Sequence, residues 1–168
     1  MKKLGTLALV ITGLTLGSYA FAQSNTASTS ANSTARVVTP ISIAKTADMN
    51  FGDVVAGGSA GTVVLTTASV RSATGGATLG NAGGTAAAAF NVTGQGSATY
   101  SITLPVSTTV TSGGNTMTVD TFASNPSGTG TLSGGGAQAL AVGATLNLAA
   151  SQASGTYTGT FNLSVTYN

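Results

Sequence analysis

Residues 155–168 read GTYTGTFNLSVTYN, and their alternation decides the fold. Tyr157, Gly159, Phe161, Leu163, Val165 and Tyr167 fall on one parity, and Thr158, Thr160, Asn162, Ser164 and Thr166 on the other. A period of two is the signature of a β-strand with one face on a core and the other in water. Such a strand needs hydrogen-bonding partners along both edges, supplied by earlier parts of the chain or by another molecule.

Upstream, short β-type segments recur between Gly- and Ser-rich stretches. They are RVVTPISIA (36–44), MNFGDVV (49–55), GTVVLTTASV (61–70), TMTVDTF (116–122) and LAVGATLNLAA (140–150). AAAAFNVTG (86–94) and ATYSITLPV (98–106) flank a Gly-Gln-Gly and read as the arms of a hairpin. Pro40 cannot donate to a ladder, so the first strand is expected at an edge or bulged. The alanine run 86–89 is too short to propagate a helix, and 3.6-residue spacing is absent from residue 23 onward. The expectation is an all-β antiparallel sandwich of roughly seven to nine strands with Greek-key connections, in a single domain over residues 36–168.

The N-terminus reads differently. Lys2 and Lys3 precede the apolar run LGTLALVITGLTL (4–16), and Ala20 and Ala22 then form a small-x-small cleavage pattern. Residues 1–22 are therefore expected to be a cleavable signal peptide, the run being short for a membrane span and interrupted by Gly5 and Gly13. Residues 23–35, QSNTASTSANSTA, form a flexible polar extension. Its Ala27, Ala31 and Ala35 nevertheless alternate in step with Val37, Ile41 and Ile43, so the extension has the parity of a strand built from small side chains.

Without the signal peptide, Arg36, Lys45 and Arg71 balance Asp48, Asp53 and Asp120. No basic patch is left for nucleic acid or anionic lipid, and a neutral surface rich in Ser, Thr, Gly and Ala tolerates self-association. The absence of Cys excludes a disulfide framework. From residue 23 onward there is no His, Glu or Trp either, so general acid–base and nucleophilic chemistry lack their usual groups and an enzyme is not expected. Asp48, Asn50 and Asp53 with Gly52 loosely resemble the start of a calcium loop, but the order is wrong and no Glu follows. No metal or cofactor is expected. Tyr100, Tyr157 and Tyr167 share parity with core-type aliphatics, which favours packing over sugar stacking.

ISIAKTADMNFGDVVAGG (41–58), FNVTGQGSATYSITLP (90–105) and the closing GTYTGTFNLSVTYN together resemble a bacterial secreted family catalogued as a domain of unknown function (DUF 4402). The same segments are similar to the spore coat U type and other pilin subunits of the chaperone-usher class. That resemblance implies an immunoglobulin-like sandwich missing a strand, its groove filled first by a periplasmic chaperone and then by the extension of the next subunit at an outer-membrane usher. The groove positions it implies are Tyr157, Phe161, Leu163, Val165 and Tyr167, and the donor or first strand Ala27, Ala31, Ala35, Val37, Ile41 and Ile43. The sequence departs from the pilin pattern in its small donor side chains and missing disulfide. The functional expectation is an exported, non-enzymatic surface-fibre subunit assembling by strand addition. The alternative is a monomeric extracellular adhesion or glycan-binding module in which Val37, Ile41 and Ile43 pair with the last strand of the same molecule.

Overall fold

The computed structural model describes residues 25–81 and 83–168, and those residues form strands, turns and irregular segments without a helix. The expected signal peptide, residues 1–22, lies outside the described residues. The chain divides into two units, Met1–Arg36 and Val37–Asn168. In the first, residues 25–36 carry no strand and are exposed throughout.

The second unit holds ten strands: β1 (Ser42–Ala47), β2 (Val54–Leu65), β3 (Arg71–Leu79), β4 (Ala88–Thr93), β5 (Thr99–Thr103), β6 (Ser107–Ser112), β7 (Asn115–Asn125), β8 (Thr129–Thr131), β9 (Ala137–Leu148) and β10 (Ser164–Tyr167). Seven form one antiparallel sheet, with β1-β4-β9-β2-β3 as its main path and β6-β7 joined through β9; β10-β5-β8 form a second sheet of three. The pair of sheets is consistent with a β-sandwich.

The large sheet is organised by β9, which carries Leu140, Val142, Ala144, Leu146 and Leu148 on one buried face. Ala141 and Val142 are flanked by β4 and β7, and Thr145, Leu146 and Asn147 by β2 and β7. So β7 occupies one edge of β9, while β4 and β2 share the other end to end. They meet at Gly143, where a Cβ would lie 2.3 Å from the Leu65 carbonyl oxygen, so a side chain would push β2 away. Opposite that junction β7 slips register between Asp120 and Ala123, with Thr121 at φ 50°. A bulge there lets one strand follow the divergence of two.

Two clusters fill the interior. Val92, Tyr100, Leu132, Leu140 and Val142 lie between the sheets, and Tyr100 is fully buried with its hydroxyl donating to Gln138 Oε1 at 2.8 Å. The other cluster, Val63, Ala77, Val119, Ala144, Leu146 and Leu148, belongs entirely to the large sheet and is flanked by half-buried Met49, Phe51, Val110 and Met117.

Several expectations are corrected. β4 and β5 are not arms of one hairpin: β4 pairs with β1 and β9, and β5 with β10 and β8. The Gly94–Gly96 stretch is a corner between sheets, where a Cβ on Gly96 would come 2.3 Å from the Gly134 carbonyl oxygen. The first strand begins at Ser42 rather than Arg36 and runs against β4, not the last strand. MNFG is not strand either; within it Asn50 alone makes a bridge, to Ala86. Of residues 155–168 only Ser164–Tyr167 is strand, although Tyr157, Phe161, Leu163, Val165 and Tyr167 are all half-buried and the even positions between them exposed.

Candidate functional site

The last strand is satisfied on one edge alone. β10 pairs with β5 through Ser164↔Thr103 to Tyr167↔Tyr100, and no described strand pairs with its other edge. Upstream, Thr158 bridges Thr111 in both directions (2.9 and 3.0 Å), and the Thr160 carbonyl accepts from Thr108 Oγ1 at 2.6 Å. The even residues therefore turn their peptide groups toward β6. In an extended chain the odd residues turn theirs the opposite way. Lys45 and Ala47 of β1, an edge strand of the large sheet, line the same cleft as residues 152–161. Two unpaired edges thus border one gap.

The gap is a cleft of about 930 Å³. Residues 45–56 line one side and residues 152–161 the other, while Val119, Leu146, Leu148 and Met117 form its floor. The Tyr167 hydroxyl donates to the Thr39 carbonyl oxygen (2.8 Å) and accepts from the Gln95 N–H (2.5 Å), tying the chain ahead of β1 to β10. Gly94 makes room for this clasp, since a Cβ there would stand 2.1 Å from Tyr167 Oη. Ile41, Ile43, Leu163, Val165 and Tyr167 pack against the cluster that contains Val92 and Tyr100. Tyr167→Phe keeps the ring but orphans a half-buried N–H and a carbonyl; a loss of about 1–2 kcal/mol is expected, measured by urea denaturation.

The two walls are built differently. Residues 48–53 are pinned from several directions: Asn50 N–H and C=O pair with Ala86 (2.8 and 3.0 Å), Asn50 Nδ2 donates to the Gly83 carbonyl (3.0 Å), and Asn50 Oδ1 accepts from Gly52 N–H (2.8 Å). Arg71 adds three bonds, to the carbonyls of Phe51 (2.6 Å), Asp53 (3.0 Å) and Gly80 (3.1 Å). The opposite wall hangs from β6 by Thr158 and Thr160, with Gln152 and Tyr157 joined at 2.8 Å near its start. Phe161 sets its depth, its ring centroid 5.0 Å from Phe122 and 6.4 Å from Phe90.

Residues 41–167 match the family described as Domain of unknown function (DUF4402). The chain belongs to that family. No curated protein and no solved structure matches it.

In this DUF4402 chain, of the groove positions read from sequence, Tyr157 and Phe161 line the cleft, while Leu163, Val165 and Tyr167 are half-buried against the cluster that contains Val92 and Tyr100. The donor positions do not behave as one group. Ile41 and Ile43 are half-buried in the chain's own interior, whereas Ala27, Ala31 and Ala35 are exposed and Val37 is 95% exposed. The calcium-like residues are already engaged locally: Asp48 is ion-paired with Lys45, and the Asn50 side chain holds its own loop. Among the described residues no three His, Cys, Asp or Glu side chains are grouped to hold a metal. Arg71 escaped the sequence reading, because a single Arg within a Gly- and Thr-rich stretch gives no sign of its carbonyl partners.

Proposed function

We propose that this protein is an exported, non-enzymatic structural subunit, of the surface-fibre or pilin-like kind, that assembles by adding a strand from another molecule to its open cleft. The single observation that carries this reading is the cleft itself, with an apolar floor and, among its lining, Lys45 and Ala47 of the edge strand β1 and residues 152–161 ahead of β10. An added strand would satisfy ladder hydrogen bonds on both sides and cover apolar surface at about 25 cal/mol per Å². In this reading the two sheets are an immunoglobulin-like sandwich of Greek-key type lacking one strand, and residues 1–22 direct export. A periplasmic chaperone and an outer-membrane usher are the partners such a subunit would use. The neutral balance of charges from residue 23 onward fits self-association.

The experiment is deletion of residues 25–38. The shortened protein is expected to fold with an unchanged denaturation midpoint but to lose self-assembly, followed by negative-stain microscopy of cells and by light scattering of the purified chain. Equal assembly with and without the segment would sink the proposal.

A further inference from the structure

Resting on the strand-addition reading, we infer that the cleft carries an oxidation switch: a peroxide converts the thioethers of Met49 and Met117 to sulfoxides, and the cleft then rejects the strand it would otherwise take up.

The placement of sulfur points to this. The chain has no Cys and three Met, and from residue 23 onward Met49 and Met117 hold all of its sulfur. Both line the cleft. Met49 lies in the pinned segment 48–53 and packs against both interior clusters, whereas Met117 belongs to β7 and is level with Val110 of β6, another lining residue. Each is half-buried. A small dissolved oxidant therefore reaches them while the cleft is open, and a strand laid over the floor shields them.

The chemistry needs only the peroxide. The thioether sulfur attacks one peroxide oxygen, the S–O bond forms as the O–O bond breaks, and Met gives up two electrons. With hydrogen peroxide, the departing hydroxide takes the proton left on the transferred oxygen and becomes water. A flexible apolar side chain is now polar and carries a strong acceptor.

The open and the covered cleft respond differently to that acceptor. In the open cleft water solvates the sulfoxide oxygen, so the fold is kept. Under an added strand water is excluded, and donors on the lining are already committed: Gln152 Nε2 to the Thr116 carbonyl (3.2 Å) and the Tyr157 hydroxyl (2.8 Å), Tyr157 to the Ala153 carbonyl (2.8 Å), and Thr108 to the Thr160 carbonyl (2.6 Å). Covering a polar group without a partner is unfavourable, so oxidation weakens the filled state and spares the empty one.

Purified full-length protein treated with hydrogen peroxide is expected to gain one oxygen at each of Met49 and Met117 by peptide mass spectrometry and to keep a cooperative urea transition. Its assembly, followed by light scattering, should weaken roughly tenfold to a hundredfold. Methionine sulfoxide reductases supplied with dithiothreitol should restore assembly, and the reductant has no disulfide to attack in a chain without Cys. Met49→Leu with Met117→Leu keeps volume and apolarity without sulfur, a kind of swap that packed interiors tolerate. That variant should assemble both before and after peroxide; if it does not fold, recovery of the wild type by the reductases decides in its place. Absence of oxidation at the two residues, unchanged assembly of the oxidised protein, equal loss in the Leu variant, unfolding on oxidation, or no recovery on reduction overturns the inference and leaves strand addition standing. Assembly of the untreated protein that persists without residues 25–38 removes the underlying reading, and the inference with it.

Discussion

Tyr100→Ala is expected to lower stability by about 3–5 kcal/mol, a large share of the usual total of about 5–15 kcal/mol. Tyr100 is the largest fully buried side chain, and it fits against Gly130 of β8 so closely that a Cβ there would meet the ring at 2.3 Å. Truncation empties the space between the sheets at the point where β5 holds both β10 and β8. Tyr100→Phe keeps the ring and loses the bond to Gln138, for a cost nearer 1 kcal/mol. The pair also tests a pH effect. Burial pushes the Tyr100 hydroxyl above the ordinary tyrosine range, so the folded state keeps its proton where the unfolded chain has lost it. That contribution is complete below the unfolded value near 10 and disappears as pH rises through the folded one. Denaturation midpoints between pH 8 and pH 11 should fall more steeply for the wild type than for Tyr100→Phe.

Arg71→Ala is expected to cost about 2–4 kcal/mol, since three carbonyls lose a charged donor at once and water can replace it only at the more exposed Asp53. Arg71→Lys should recover less than half, because one ammonium cannot span the positions that the planar guanidinium reaches together. The loss should be local as well as global: hydrogen exchange over residues 48–53 is expected to rise beyond the change in overall stability.

The parity of the closing stretch revealed which of its side chains face inward, because side-chain direction follows from sequence alone wherever a chain is extended. It overstated the strand's length, because whether residues 157–163 become strand depends on a ladder partner and not on their own alternation. The Gly94–Gly96 corner was mistaken for a hairpin for a related reason. Glycines that admit the Tyr167 hydroxyl and the Gly134 carbonyl look the same in sequence as glycines that make a turn. β3 was hidden since Gly75 and Gly76 interrupt its alternation and Gly76 passes so close to Ser59 that a Cβ would sit 1.9 Å from its carbonyl oxygen. The hairpin of β6 and β7 turns on Gly113 and Gly114, both at positive φ as a tight two-residue turn requires, but SGGN in a chain this rich in Ser and Gly does not stand out.

The unequal bracing of the two walls gives the cleft the mechanics of a vice with one fixed jaw. On the strand-addition reading, the Asn50–Arg71 side would set a constant reference surface and the side hung from β6 would take up the thickness of the added strand. Adjustment to a bulkier or slimmer insert would then fall on residues 157–163 while the main sheet keeps its packing. Sequence drift in the inserted segment would be absorbed there first, so changes on the two sides of this one gap should differ in their consequences: rarely tolerated around Phe51 and Arg71, and readily tolerated around Thr158 and Thr160.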